Sequence, residues 1–126
     1  MIGSKKVALD TNILLAIVRN KVDVFAQCKQ MFGRVDFLVP QQVVSEMEML
    51  AKKNKAIRKE VNIAMELMEK NNAQIVENSA KNADLALLEL AKVAAVATND
   101  KELKASVKEL NGKVLHLRQG KFLELN

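Results

Sequence analysis

Short apolar runs alternate with stretches of helical periodicity along nearly the whole chain, and this alternation restricts the fold more than any other feature of the sequence. The runs typical of buried strands lie at residues 7–9, 37–39, 74–76, 94–98 and 114–117. The segments between them carry apolar residues at intervals of three and four, as helices packed on a sheet do. Strands alternating with helices predict an α/β fold, namely a three-layer α/β/α sandwich around a central, mostly parallel sheet of four to five strands.

Local signals predict where the helices lie. One helical stretch is expected directly after the first strand, with Leu14, Val18, Val22 and Phe25 on a single face. Pro40, the one proline of the chain, follows the second strand and favours the start of a helix. Further helices are predicted across residues 43–50, 61–68, 84–92 and 103–110.

The composition is that of a folded protein with room for one domain. Of the 126 residues, 49% are hydrophobic and 28% are charged, which excludes an intrinsically disordered chain; we predict a single domain over residues 1–126. The single cysteine excludes an internal disulfide and is typical of a reducing compartment. No apolar run is long enough to span a bilayer, and Asp10 and Asn12 interrupt the stretch that a secretory signal would need. We therefore expect a cytoplasmic protein that has no membrane partner.

Four acidic residues stand close to the predicted strand ends, at the edge where parallel sheets bind their ligands. Asp10 comes directly after the first strand and Asp100 directly after the fourth. Glu46 falls in the first turns of the helix after the second strand, and Asp84 begins the helix that leads to the fourth. We expect all four carboxylates to face one pocket.

Carboxylates gathered in one pocket repel each other unless they take up protons or bind a cation. A set of oxygen ligands without His or Cys favours Mg²⁺ or Mn²⁺, and these ions activate water for attack on a phosphodiester. Asp10 and Asp100 are also suitable helix caps, and capping is the alternative interpretation of each residue taken alone.

A cluster of cations suits the same kind of substrate. The net charge is +5, and the excess positive charge is concentrated in one short segment that holds Lys52, Lys53, Lys55, Arg58 and Lys59. Such a cluster binds polyanions such as nucleic acid, although a solvated helix face has the same composition. The chain has no Trp or Tyr and only four Phe, so contacts to phosphates would have to dominate over base stacking.

The acidic residues and their neighbours resemble the PIN domain family (PilT N-terminus-like). The resemblance rests on Asp10-Thr11-Asn12, on Glu46, on Asp84 within residues 83–91, and on Thr98-Asn99-Asp100 followed by Leu103. It extends over practically the whole chain. The tail at residues 115–125 is similar to small archaeal PIN proteins related to the PIN nucleases of the eukaryotic small-subunit processome.

The resemblance implies a metal-dependent endoribonuclease that hydrolyses RNA through an acidic site. By the family pattern, Asp10, Glu46, Asp84 and Asp100 are the catalytic and metal-binding residues, and they would hold one or two Mg²⁺ or Mn²⁺ ions. Asp10 and Asp100 would provide most of the metal binding, while Glu46 or Asp84 would help to deprotonate the attacking water.

Two polar residues complete the site that the resemblance implies, and one position departs from the family pattern. Asn12 and Thr98 would orient a carboxylate or a substrate phosphate. Many relatives carry a second Asp after the third acid, where this chain has Leu85. The number of bound ions therefore stays open.

Several roles remain open at the level of sequence. The tail favours ribosomal RNA processing, a VapC-type toxin neutralised by an antitoxin protein is the alternative, and a non-catalytic RNA-binding module is a third. The substrate would be single-stranded RNA or structured rRNA, and the resemblance also suggests a homodimer. Cys28 and His116 lack the motif of a thiol nucleophile with its base, and strand three ends without the Asp that a phosphoacceptor receiver domain requires.

Overall fold

A computed structural model of the protein describes residues 5–126. Residues 1–4, which begin the segment in which no secretory signal is expected, lie outside the described residues. The strands are β1 (Lys5–Leu9), β2 (Val35–Pro40), β3 (Gln74–Val76), β4 (Ala95–Ala97), β5 (Val114–Arg118) and β6 (Phe122–Leu125). The helices are α1 (Thr11–Arg19), α2 (Val24–Phe32), α3 (Gln41–Ala51), α4 (Lys55–Lys70), α5 (Ala83–Leu90) and α6 (Lys101–Glu109).

The six strands form one sheet in the order β3-β2-β1-β4-β5-β6. The first five strands in this order are parallel, and β6 runs antiparallel to β5. The chain moves outward from β1 to β3 and then returns to β4 and β5, and right-handed crossovers place the helices of these two halves on opposite faces. The predicted α/β sandwich with a mostly parallel sheet is confirmed.

The direction of the chain reverses between β1 and β4, which are neighbours in the sheet. Leu9 lies beside Ala97 at the carboxyl ends of these strands. Asp10 directly follows Leu9 and Thr98 directly follows Ala97, so these two residues lie side by side at the carboxyl edge of the sheet. A reversal of this kind opens a crevice in which parallel α/β sheets bind ligands.

The single helical stretch predicted after β1 is two helices. Lys21 adopts a left-handed backbone conformation with φ 52°, which ends α1. Asp23 then caps α2 by accepting a hydrogen bond from the Ala26 backbone N–H. The helical spacing continues across the break because Val22 and Phe25 are still buried in the core, so periodicity alone did not reveal the break.

The sixth strand is the other difference from the sequence prediction, which expected four to five. Gln119 and Gly120 both have positive φ values, 55° and 69°, and turn the chain back on β5. This brings Leu123 opposite Leu117, and both side chains are buried. An antiparallel hairpin needs no crossover helix, so the alternation of strands and helices in the sequence does not predict this short strand.

Candidate acidic active site

Asp10 is the buried centre of the acidic site. It directly follows β1 and caps α1, and only 5% of its surface is exposed. Its Oδ1 accepts a hydrogen bond from the Thr11 backbone N–H at 2.7 Å. Its Oδ2 accepts hydrogen bonds from the Thr98 hydroxyl at 2.7 Å and the Asn12 amide at 3.0 Å. These three donors hold the carboxylate in one orientation.

Thr98 connects Asp10 to the segment that carries Asp100. It is fully buried at the end of β4, and its Oγ1 also accepts a hydrogen bond from the Asp100 backbone N–H at 3.1 Å. Asn12 makes a second link, since its Oδ1 accepts the backbone N–H of Asn99 at 3.1 Å. The residues after β1 and after β4 therefore form one hydrogen-bonded unit.

Asp100 caps α6 through one oxygen of its carboxylate. Oδ1 accepts a hydrogen bond from the Leu103 backbone N–H at 2.9 Å, which is the capping role expected for an Asp at this position. Oδ2 accepts no hydrogen bond from residues 5–126, and the residue is exposed. Capping thus leaves one oxygen of Asp100 available to a ligand.

Glu46 reaches the site from the middle of α3. Its Oε1 accepts a hydrogen bond from the Thr11 hydroxyl at 2.7 Å, so the residue beside Asp10 in sequence positions a second acid. Sequence analysis did not single out Thr11, although its place between Asp10 and Asn12 was the available signal. Thr11 is buried, and the exposed Glu46 keeps Oε2 free of hydrogen bonds from the described residues.

Asp84 is the second residue of α5, whose N-cap is Asn82. It is exposed and has no hydrogen-bond partner within the described part of the chain. Its negative charge and that of Glu46 both act on Asp10. The charges of Glu46 and Asp84 therefore act at Asp10, whereas Asp100 is linked to Asp10 through Thr98 by its backbone N–H and not by its carboxylate.

The pKa of Asp10 lies above its ordinary value of 3.8. Burial is the main cause, and the charges of Asp84 and Glu46 raise the pKa further, whereas the hydrogen bonds from Thr98 and Thr11 oppose the shift. The site thus disfavours the Asp10 anion unless a positive charge is nearby.

The donor set is suited to a hard divalent cation. Within residues 5–126 no three Asp, Glu, His or Cys side chains stand close enough together to hold a metal ion as they are placed here, so the structure does not bring the four predicted acids into one ligand set. All four acids offer oxygen ligands, and Glu46, Asp84 and Asp100 each have an uncommitted oxygen. Mg²⁺ and Mn²⁺ prefer such ligands and retain several waters, so the residues fit these ions.

The five residues of the predicted basic cluster are all exposed at the corner between α3 and α4. Lys52 and Lys53 directly follow the end of α3, and the other three residues lie on the first turns of α4. The Arg58 guanidinium also donates a hydrogen bond to the Ala51 carbonyl at 3.2 Å, so it stabilises the α3–α4 corner. Lys52 is six residues from Glu46 on α3, or about 9 Å along the helix axis.

A groove missed by sequence analysis adjoins the acids directly. Its volume is about 420 Å³, and it lies between α3 and the start of α5. The residues that line it are Gln41, Gln42, Ser45, Glu46, Met49, Lys81, Asn82 and Ala83. None of the five predicted RNA-binding cations is among them; Lys81 supplies the positive charge instead.

Leu85 does not replace an acid inside this groove. It is 46% exposed and lines a neighbouring hollow together with Leu88 and Leu110. Cys28 is equally remote from catalysis, since it is fully buried and burial raises the pKa of its thiol to about 12. A thiol nucleophile is therefore excluded.

Removal of the Thr98 hydroxyl tests the hydrogen-bonded unit. We expect Thr98→Val to lower the free energy of unfolding by about 1–3 kcal/mol, because the Asp10 carboxylate and the Asp100 N–H each lose a partner. Affinity for Mn²⁺ should fall by about 10–100-fold, as when other partners of metal ligands are removed. Thermal denaturation and calorimetric metal titration measure both effects. Thr98→Ser should restore metal affinity, and equal affinities of the valine variant and the wild type would contradict this role.

Metal binding should stabilise the protein in a pH-dependent way. At neutral pH, Mn²⁺ or Mg²⁺ at about 100 times its dissociation constant should add about 2.7 kcal/mol to the free energy of unfolding. The gain should shrink as the pH falls through the raised pKa of Asp10, because protons then compete for the carboxylate. Melting curves at matched ionic strength, with K⁺ as the control cation, measure this shift. A shift of equal size in Asp10→Asn would show that the ion binds elsewhere.

The described residues contain no helix that is long and apolar enough to cross a membrane.

Comparison with known proteins gives a consistent family. The PIN-like domain family matches residues 7–120. Ribonuclease VapC4 of Methanocaldococcus jannaschii is 32% identical over 127 residues, covering 95% of each chain. Ribonuclease VapC9 of Archaeoglobus fulgidus is 34% identical over 122 residues, covering 93% of this chain and 87% of that protein.

Solved structures show the same fold at lower sequence identity. The PIN domain endonuclease Utp24 superposes with a TM-score of 0.76 at 21% identity, covering 94% of this chain and 90% of that one. A domain of a functionally unknown protein from Methanocaldococcus jannaschii has a TM-score of 0.61 at 19% identity, covering 91% and 92%. Family match, near full-length relatives and fold agree with the resemblance first noted in the acidic residues: the chain belongs to the PIN-like domain family.

Proposed function

We propose that this protein is a metal-dependent endoribonuclease of the VapC type, which hydrolyses phosphodiester bonds of RNA. The observation that carries the proposal is the Asp10 carboxylate, which Thr98, Asn12 and the Thr11 N–H hold at the crevice between β1 and β4, with Glu46 hydrogen-bonded to the Thr11 hydroxyl beside it. Two relatives named ribonucleases align with at least 93% of this chain, which supports the same class of reaction here.

The four acids would hold one or two Mg²⁺ or Mn²⁺ ions. Such an ion supplies positive charge to the scissile phosphate and lowers the pKa of bound water. Asp10 provides a carboxylate that is oriented before any ligand arrives, because Thr98, Asn12 and the Thr11 N–H hold both of its oxygens. Preorganisation of this kind avoids the cost of ordering the ligand during the reaction.

Glu46 is our candidate for the group that accepts a proton from the attacking water. The Thr11 hydroxyl holds Oε1, which leaves Oε2 to face solvent and substrate. Asp84 is the alternative base, but no hydrogen bond within the described residues orients it. The fixed carboxylate is the better general base because proton transfer requires a defined geometry.

The basic cluster at the α3–α4 corner would guide RNA toward the acids. Lys52, Lys53, Lys55 and Lys59 are exposed at the corner that follows the helix carrying Glu46, and with Arg58 they would offset the repulsion between the acidic pocket and the RNA backbone. Their contribution should weaken as salt concentration rises, because phosphate contacts release counterions.

For the biological role we favour a toxin neutralised by an antitoxin protein. Sequence analysis placed ribosomal RNA processing first and the toxin second, and the two VapC-named relatives favour the opposite order. Likeness to Utp24 at 21% identity concerns the fold alone. The four acids argue against a non-catalytic RNA-binding module. A cytoplasmic location and a homodimer are parts of the same proposal.

Cleavage of labelled RNA tests the activity. Purified protein should cut single-stranded RNA with Mn²⁺ or Mg²⁺, should stop with EDTA, and should resume when the metal is restored. Because water is the attacking group, RNA with 2′-deoxyribose at the cleaved position should still be cut, whereas contaminating metal-independent ribonucleases that use the 2′-hydroxyl should fail. Activity that persists in EDTA, or no cleavage with either metal, would contradict the proposal.

Growth measurements separate the two biological roles. A toxin should arrest growth of a host cell on induction, and co-expression of the product of the adjacent gene should restore growth. An rRNA-processing enzyme should instead leave growth unaffected and convert a precursor rRNA to a shorter product in vitro.

A further inference from the structure

The groove beside Glu46 has the dimensions and chemistry of a binding site. Its volume of about 420 Å³ lies within the usual range for small-molecule pockets and is far too small for a duplex. Glu46 belongs both to this groove and to the acidic site, so a ligand in the groove lies next to the catalytic carboxylates. The site described above does not use the rest of the groove lining.

One wall of the groove is a stripe of α3. Gln41, Ser45 and Met49 are separated by four residues each and therefore share a helix face. All three are exposed, and Met49 is 69% exposed. The amide and the hydroxyl make no hydrogen bonds within the described residues, so the stripe offers polar groups for a base edge and a thioether for a base face.

The opposite wall is the loop before α5, and side-chain hydrogen bonds hold it against α3. The Gln42 and Asn78 amides pair reciprocally at 2.6 and 2.8 Å. Gln42 also donates to the Ala80 carbonyl at 2.8 Å, and Asn78 accepts the Ala80 backbone N–H at 2.9 Å. This network places Lys81, the next residue, at the groove.

Lys81 is exposed and forms no salt bridge within the described part of the chain. An ammonium that has no salt-bridge partner attracts an anionic group that extends into the groove. The lining thus combines one cation, several hydrogen-bonding groups and one apolar surface. These three features match the three parts of a nucleotide, because the cation suits its phosphate, the hydrogen-bonding groups suit its base edge and the apolar surface suits its base face.

We propose that this groove binds one nucleotide of the RNA strand next to the scissile bond, with Lys81 contacting its phosphate and Gln41 and Ser45 facing its base. This inference rests on the proposed ribonuclease function and adds a determinant of sequence preference to it. Met49 covers the base face, in place of the aromatic rings that this chain lacks.

The phosphate contact is tested with Lys81→Met in an RNA-binding assay that does not depend on cleavage. Fluorescence anisotropy with labelled single-stranded RNA in EDTA should show about tenfold weaker binding. The slope of log affinity against log salt concentration should fall by about 0.7, the loss expected for one phosphate contact on a single strand. Lys113→Met, which removes the same charge before β5 at the opposite end of the sheet, should leave affinity and slope nearly unchanged. Equal effects of the two variants would overturn the Lys81 contact.

The base contact is tested by sequence preference. Wild-type protein should cleave RNAs that differ at the nucleotide beside the cut at different rates, and Gln41→Leu and Ser45→Ala should reduce these differences several-fold. Gln30→Leu, an exposed glutamine on α2, is the matched control and should keep the wild-type preference. Wild-type cleavage with a preference unchanged in all variants would overturn this inference and leave the ribonuclease proposal intact. Absence of wild-type cleavage would instead contradict the ribonuclease function itself. If, in addition, Lys81→Met bound RNA as tightly as the wild type, a protein partner such as an antitoxin would be the better occupant of the groove.

Discussion

Asp10→Asn should reduce the rate of metal-dependent RNA cleavage by at least about 1,000-fold, because a bound divalent ion contributes several kcal/mol to transition-state stabilisation. Asparagine has nearly the same shape as aspartate but lacks the charge that attracts the ion. Initial rates on labelled single-stranded RNA with Mn²⁺ measure the loss. Activity within tenfold of the wild type would contradict the assignment of Asp10 as the central ligand.

The same variant should not lose its fold at neutral pH, and its stability relative to the wild type should depend on pH in a defined direction. Since the folded protein raises the pKa of Asp10 above 3.8, folding favours the protonated form. Wild-type stability therefore falls as the pH rises from the ordinary pKa through the raised one, and this contribution is constant above it. The variant lacks this loss. Its free energy of unfolding relative to the wild type, from denaturant titrations without metal, should increase over that pH range and then level off.

Asp100→Asn should lower cleavage by about 100–1,000-fold while leaving the stability of α6 nearly unchanged. Asparagine caps helices about as well as aspartate does, so the hydrogen bond from the Leu103 N–H is retained and only the charge is lost. Metal affinity should fall in parallel with activity. Cleavage assays, metal titration and melting curves on one preparation measure the three quantities.

Asp23→Asn provides a closely matched control. Asp23 caps α2 through the Ala26 N–H at 2.9 Å, just as Asp100 caps α6 through Leu103 at the same distance. The two variants make the same chemical change at the same helix position, but Asp23 shares no hydrogen bond with the acidic site among the described residues and is not one of the charges that act on Asp10. Asp23→Asn should cleave RNA at the wild-type rate. Equal losses in both variants would mean that the charge at Asp100 has no special role.

Capping and metal binding, which the sequence presents as alternatives for Asp10 and Asp100, are compatible in this fold. At Asp100 the cap uses one carboxylate oxygen and leaves the other exposed. Asp10 caps α1 and also accepts hydrogen bonds from Thr98 and Asn12. The caps fix each carboxylate at the end of a helix and therefore contribute to the rigidity of the site.

Sequence reasoning placed Asp10 and Asp100 at the carboxyl edge of the sheet because their positions depend on a local rule. A polar residue directly after a buried parallel strand must lie at the carboxyl edge of the sheet, and Asp10 and Asp100 both follow such strands. The rule needs no knowledge of side-chain contacts.

Other features of the site have no local signal. Thr11 looks like an ordinary first residue of a helix, and its role appears only when α3 brings Glu46 within 2.7 Å of its hydroxyl. Lys81 lies outside the basic cluster at residues 52–59. It reaches the groove because Gln42 and Asn78, which are 36 residues apart, hold its loop on α3. Composition identified the largest cluster of cations, whereas proximity to the acids singles out a different lysine.

The α/β class, the order of the five parallel strands along the chain and the two aspartates that follow β1 and β4 are readable from the sequence, because hydrophobic periodicity and strand-end position are properties of short segments. Four features emerge only in the folded chain: the break between α1 and α2, the antiparallel β6, the Thr98–Asn12 network and the groove that contains Lys81. The network and the groove depend on hydrogen bonds between residues that are distant in the chain. The break and the β5–β6 turn instead use residues with positive φ, which hydrophobic periodicity does not reveal.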